Sequence, residues 1–286
     1  MDGSTSATEM NAISFSPQSL PERAIIRVSG DGVLAFLHNI LTVDLLHLAE
    51  SQAAYGALLT PQGKILHDMF VVAGREVIYL DCSKKHAEDL LQKLTMYRLR
   101  AKLQMSIDDT KAVAVSLAGH LPGICYGDPR IAAIGYRSVV NVGSESPGNG
   151  YNDARMVLGL ADGEADMGLG EMFVHEANLD QLNGVNFQKG CYVGQEVVSR
   201  THHRGSARNR ILPVTLDGVV ARGTAIESGG QRIGEMLSSN AGKGLALLRL
   251  DRLAEAVQPL LTEGVRLHVQ KPEWVRFEMT IPECAQ

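Results

Sequence analysis

The sequence predicts a mixed α+β chain that ends in a small all-β module. Three observations carry this. Apolar residues recur at helical spacing from Val33 to Leu48. Leu99 to Ile107 alternate strictly with polar residues, the period of a strand with one wet face. Beyond Gly205, short apolar runs alternate with glycine-rich turns, the texture of a small barrel or sandwich. The chain has 286 residues, 45% hydrophobic and 21% charged, which suffices for a sizeable core. Its length suggests about two domains.

The elements follow in order. Ala24–Val28 reads as a strand, and Ser29-Gly30-Asp31-Gly32 turns the chain into the helix over Val33–Leu48. Two strands, Gln52–Leu59 and Ile65–Val72, flank the turn Thr60-Pro61-Gln62-Gly63, and Val77–Cys82 adds a third. Ser83 caps a helix carrying Leu90, Leu91 and Leu94, ahead of the alternating strand Leu99–Ile107. Ala112–Leu117 and Ile131–Val142 are further strands; Gly143–Gly150 is a turn, and a short helix covers Asn152–Leu160. After a long glycine-containing segment, Gln195–Arg204 is helical. The runs Ile211–Leu216, Ile233–Leu237, Leu245–Leu250, Val265–Val269 and Val275–Met279 supply the terminal strands. A domain boundary falls near Gly205.

Composition excludes several classes of function. The formal net charge is −5, so the chain as a whole does not attract nucleic acid. The four cysteines, Cys82, Cys125, Cys191 and Cys284, form no Cys-x-x-Cys pair, which argues against a disulfide framework or a four-cysteine zinc site. The first twenty residues carry no Lys or Arg and no long apolar run, and no stretch approaches the ~18 apolar residues of a membrane span. These features lead to the expectation of a cytoplasmic location without membrane contact.

One segment carries chemistry. In Lys189-Gly190-Cys191-Tyr192-Val193-Gly194-Gln195-Glu196 the thiol stands between two glycines, which allow turns and close approach of a ligand. Cys191 precedes a helix start and sits beside Lys189, both of which favour the reactive thiolate. A helix start also offers free amides to an anion. Glu196 and Arg200 stand at i, i+4. Most lone cysteines are small buried hydrophobes, and Cys82, inside an apolar strand, fits that description. From Lys189 to Arg210 five cations (Lys189, Arg200, Arg204, Arg208, Arg210) face one acid, Glu196, a local charge of +4 in an acidic chain. A folate tail or RNA would suit this charge equally, and so would a plain solvated helix face. The adjacent His202 and His203 point in different directions on a helix, which argues against a dedicated metal site.

The run from Lys189 to Glu196, continuing through Val197-Val198-Ser199-Arg200 to His203-Arg204-Gly205, resembles the signature of the YgfZ-type proteins. The likeness extends to Val28-Ser29-Gly30-Asp31, Leu41-Thr42-Val43-Asp44, Leu59-Thr60-Pro61-Gln62-Gly63-Lys64 and Ile233-Gly234-Glu235-Met236. It implies a three-lobed, aminomethyltransferase-like α+β ring. Residues 1–205 would form the folate-binding region of two interleaved lobes, and 206–286 a small β-barrel. It further implies a tetrahydrofolate-binding factor for iron–sulfur cluster assembly or repair, indirectly supporting cluster enzymes such as tRNA-modifying ones. Folate and iron–sulfur scaffold or carrier proteins would be its partners. By the same resemblance Cys191 is the functional thiol, and Asp44, Arg155, Lys189, Tyr192, Gln195, Glu196 and Arg200 contact the folate.

Two departures separate the chain from the aminomethyltransferases of glycine cleavage. Their acidic pair is matched here by His67-Asp68, so Asp68 is the one acid left for chemistry. Their pterin-gripping Glu is matched by Val157, in Arg155-Met156-Val157, and such a contact is worth about 1.5–3 kcal/mol. Both argue against glycine cleavage, and a folate-dependent one-carbon transfer remains the alternative. Phe173 stands where the YgfZ-type pattern has Pro.

Overall fold

Runs of leucine, isoleucine and valine build an antiparallel five-stranded sheet first. Its strands are β2 (Arg23–Ser29), β3 (Ala53–Leu59), β4 (Ile65–Ala73), β5 (Ile78–Ser83) and β6 (Gln104–Ile107), in the order β3-β4-β5-β2-β6. The computed structural model describes residues 13–144, 146–205 and 207–286. The first twelve residues of the amino-terminal reading, Glu145 of the expected turn and Ser206 at the expected boundary lie outside the described residues. Helices α1 (Val33–Ile40) and α2 (Ala87–Arg98) cover one face of this sheet, where Leu37, Leu58, Met69, Leu80, Leu90 and Leu94 are fully buried.

The opposite face meets a second antiparallel sheet. It consists of β1 (Gln18–Ser19), β7 (Lys111–Ser116), β8 (Ile124–Gly127) and β9 (Tyr136–Asn141), in the order β1-β7-β9-β8. Ile25, Phe70 and Val72 from the first sheet share a core with Val113, Val115 and Val139 from the second. Helix α3 (Tyr151–Val157) and a π-helical turn, Gly163–Met167, seal this core through Met156, Leu160 and Met167. After α4 (Gln195–Arg204) the chain enters a closed antiparallel barrel. Its strands are β10 (Asn209–Leu216), β11 (Ala225–Ser228), β12 (Gln231–Asn240), β13 (Lys243–Arg249), β14 (Leu260–Thr262) and β15 (Val265–Val269), with the short α5 (Leu250–Ala254) before β14.

The mixed α+β class is what the sequence predicts, and the terminal module is a barrel rather than a sandwich. Some elements differ for identifiable reasons. The helix expected to reach Leu48 stops at Ile40, because Leu41 is extended at φ −96°, ψ 160°. The alternating strand begins only at Gln104, because α2 runs on through Arg98 and Leu99 turns the corner at φ +50°. Ile131–Val142 splits at Gly135, φ +85°, so the strand starts at Tyr136. Val275–Met279 is not a strand; the short β11 and β14 complete the barrel instead.

A buried ion triad ties the two sheets together. Asp81 of β5, fully buried, accepts from Arg23 Nε of β2 at 2.6 Å and from Arg137 Nη2 of β9 at 2.5 Å. Removing one member of such a cluster strands charge in the interior, which costs about 3–5 kcal/mol. Asp81→Ala should therefore lose stability of that order, read as a lower midpoint in urea denaturation.

Candidate functional site

Gly194 opens α4 at φ +79° and rests on the β3–β4 turn, where a Cβ would stand 2.5 Å from the Thr60 carbonyl oxygen. Only glycine fits there. Gly190, in contrast, has open space where a Cβ would go, and its φ is not positive. Between them the loop turns Cys191 outward, exposed and free, and Tyr192 inward, buried. The Gln195 side chain accepts from the Tyr192 amide at 3.1 Å, and burial pushes the Tyr192 phenol up to about 12. Cys82 behaves as the sequence predicts: its sulfur faces the Ala24 carbonyl inside the sheet, and burial pushes the thiol up to about 12.

The positive stretch does not form one patch. Lys189 directs its ammonium to the carbonyls of His38 and, at 2.6 Å, Leu41, closing the carboxyl end of α1. Burial pushes Lys189 down to about 8, with Asp44 pulling the other way. Arg210 is buried in a two-point pair with Asp180, at 2.6 and 3.1 Å. Arg200, Arg204 and Arg208 stay exposed. Glu196 is exposed too, and it forms no ion pair with Arg200 among the described residues. Asp44 accepts from the Leu46 amide at 3.0 Å and lies 3.1 Å from His38; the amide first, then the histidine, hold its carboxyl below the usual range.

Asp68 and Arg155 do come together. Both line a cavity of about 400 Å³ between the two sheets and α3, with Arg23, Phe70, Arg130, Arg137, Tyr151 and Asp162. Three guanidiniums surround the Phe70 ring, 5.9, 4.9 and 4.1 Å from its centre for Arg23, Arg130 and Arg137. The Tyr151 hydroxyl accepts from Arg130 at 3.0 Å and from Arg137 at 2.9 Å. Asp128 takes Arg130 at two points, and Asp166 takes Arg155 at 2.6 Å. Neither Cys191 nor Asp44, Lys189, Tyr192, Gln195, Glu196 or Arg200 lines this cavity. The thiol and the acid therefore belong to separate places.

His67 points to the other face of β4, as strand alternation requires, and pairs with Asp89 of α2 at 2.8 Å. Val157 borders a different cleft of about 540 Å³, beside Pro272 and Trp274. Sequence reading misses Arg23, Arg130, Arg137 and Asp162. The available signal was arginine inside a strand, as in Tyr136-Arg137-Ser138-Val139-Val140.

Behind the thiol loop, His202 of α4 stacks on Phe187 at 3.7 Å, and His175 lies 6.2 Å from the same ring. His175 is buried with Nε2 unpartnered, and burial pushes it down to about 4, against the pull of Asp180. The unfolded chain then binds a proton that the folded chain refuses between pH ~6.5 and ~4, so stability falls on acidification across that window. At ~1.4 kcal/mol per pH unit the loss reaches at most about 3 kcal/mol. His175→Phe should flatten that slope in urea denaturation between pH 7 and pH 4.

Comparisons with known proteins agree with this architecture. Residues 208–277 match the family described as CAF17, C-terminal beta-barrel domain. The iron-sulfur cluster assembly factor IBA57 homolog, mitochondrial, of Pyricularia oryzae is 30% identical over 84% of this chain and 73% of its own length. The human factor IBA57, mitochondrial, is 28% identical over 89% of this chain and 84% of its own. A crystal structure of glycine cleavage system aminomethyltransferase T from Bartonella henselae superposes with a TM-score of 0.73 at 14% identity, covering 94% of this chain and 88% of that one. It shows an aminomethyltransferase-like fold. The mitochondrial names of the relatives overturn the expectation of a cytoplasmic location. An import address is a local signal, and the composition of folded lobes carries no trace of it. With a fungal relative matched at this identity over most of both chains, the chain belongs to the family of IBA57 iron–sulfur cluster assembly factors.

Proposed function

We propose that the chain is a tetrahydrofolate-binding iron–sulfur cluster assembly factor in which ligand and thiol are held apart. The carrying observation is the pair of sites: a charged, aromatic-walled cavity around Asp68 and Arg155, and an exposed free sulfur at Cys191 outside it. The cavity fits a pteridine by volume and by chemistry. Phe70 and Tyr151 line it, and the arginines and Asp68 offer polar partners for a heteroaromatic edge. Tetrahydrofolate supplies one-carbon chemistry when bound. Arg155, Arg23 and Arg130 would orient it.

Cys191 would serve the cluster, a scaffold or carrier protein, or a one-carbon adduct. Its solvent-facing position favours a protein-borne partner over a ligand in the cavity. Downstream beneficiaries would include cluster enzymes such as those that modify tRNA. One-carbon transfer is the second reading, and Asp162 favours it, because the cavity regains a second carboxyl there.

Two outcomes are expected. Cys191→Ala, returned to cells lacking the protein, should fail to support cluster enzymes while its unfolding midpoint stays at the wild-type value; full support would end the assignment of the thiol. Calorimetry should show saturable tetrahydrofolate binding that is unchanged in Cys191→Ala. Strongly salt-dependent uptake of RNA without folate binding would favour a polyanion adaptor instead.

A further inference from the structure

On the barrel side, solvent-facing arginines are answered by acids of the same chain: Arg222 by Glu171 at 2.9 Å, Arg232 by Glu235 at 2.6 Å and Arg249 by Asp251 at 2.9 Å. The outward face of α4 differs. Arg200, Arg204 and Arg208 are exposed, and none has an ion-pair partner among the described residues. Arg200 and Arg204 stand one turn apart, with His203, also exposed, on the same face. Like charges at that spacing weaken a helix, and Glu196, one turn before Arg200, does not pair with it. The other face is occupied: Val198 is buried and Val197 packs beside Gly63. Cations in a last turn complement the helix dipole, which accounts for His203 and Arg204. It accounts for neither Arg200 in mid-helix nor Arg208 beyond Gly205.

This row of free cations adjoins the thiol. Helix α4 begins four residues after the exposed Cys191, and Arg200 and Arg204 lie about 7.5 and 13.5 Å along its axis from its first residue, at about 1.5 Å per residue. At the far end the Arg208 carbonyl accepts from the Leu250 amide at 2.8 Å, so the row stops against the barrel, where Arg249 already has Asp251. In a chain of net charge −5, unpaired cations gathered on one face mark a surface kept for an anionic partner. Single-stranded RNA would need rings to stack on beside such a row. Phe187 is already stacked by His202 at 3.7 Å, Tyr192 is buried, and Glu196 sets a carboxylate at the thiol end of the row. A folded acidic surface needs no stacking and can leave room for that one acid.

We propose that the outward face of α4, Arg200 and Arg204 with Arg208 beyond them, docks an acidic protein surface and brings it to Cys191. Glu196 fixes the direction of approach, because the partner must set a neutral or basic residue against it. The inference rests on the reading of Cys191 as a thiol that meets a protein-borne partner, and it adds the chemistry of that partner.

The thiol itself reports the field. In protein carrying Cys125→Ser and Cys284→Ser, Cys191 is reacted with two disulfide probes, the dianion dithiobis(nitrobenzoate) and the dication cystamine. Reversal of the face (Arg200→Glu, Arg204→Glu and Arg208→Glu together) should slow the dianion about tenfold at low salt and speed the dication, and high salt should erase both effects. Polyglutamate should protect Cys191 from the dianion in the wild type and not in the reversed chain. In cells lacking the protein, the reversed chain should fail to support cluster enzymes while still unfolding cooperatively, and lysines at the same three positions should restore support. Rates indifferent to the reversal, or full support by the reversed chain, overturn the docking face. An oligouridine of equal charge that protects Cys191 better than polyglutamate does overturns the protein partner in favour of RNA. If Cys191→Ala supports the cluster enzymes and the reversed chain does not, the thiol reading fails and the acidic docking face stands; the opposite pair of results keeps the thiol and removes the face.

Discussion

The structure depends on one buried carboxylate that serves two arginines. Asp81 alone answers two guanidiniums from two different sheets. Arg137 and Arg23 together hold its carboxyl below the usual range against the penalty of complete burial. The second sheet could not keep Arg137 in the interior without Asp81 of the first, so pairing of that charge and packing of the sheets are one event. The same guanidiniums turn their remaining edges to the cavity. The cavity is polar because the seam between the sheets is, and its shape is inherited from the fold.

The barrel is attached by the same logic. Asp166, fully buried, holds Arg155 of the cavity wall and also accepts from the Ser238 amide of β12 at 2.9 Å. Asn178 donates to the Ile211 carbonyl at the start of the barrel at 2.7 Å, and the Trp274 indole donates to Leu158 just beyond α3, also at 2.7 Å. These contacts pair backbone and side-chain groups that a loose junction would leave to water. The terminal module therefore buttresses the cavity wall, although Asp166 and Ser238 reach the seam from opposite sides.

Much of this was legible in the sequence. The glycine-bracketed thiol, the apolar strands around the Thr60–Gly63 turn and the short-strand texture of the barrel follow from local patterns. What local patterns miss is set at a distance. Helix α1 ends at Ile40 although Leu41, Leu45 and Leu48 continue its spacing, and its last carbonyls are met by Lys189, far along the chain. Arg137 is a charged residue inside an expected strand, and it is buried because Asp81 awaits it on another sheet. The +4 stretch looked like a single patch, but Lys189 and Arg210 are consumed by the interior. A residue count cannot distinguish a charge that faces solvent from one that holds two segments together.

The docking of Gly194 on Gly63 has a mechanical consequence. Each of these glycines lies where a side chain would strike the other's neighbourhood, so loop and turn meet backbone to backbone, with the Val197 side chain packed beside them. The turn belongs to the hairpin whose second strand carries Asp68, five residues on and about 17 Å away at ~3.3 Å per residue. The loop that carries the sulfur and the hairpin that carries the buried acid are thus joined through one backbone contact. A side chain at either glycine would therefore push the thiol loop away from the hairpin.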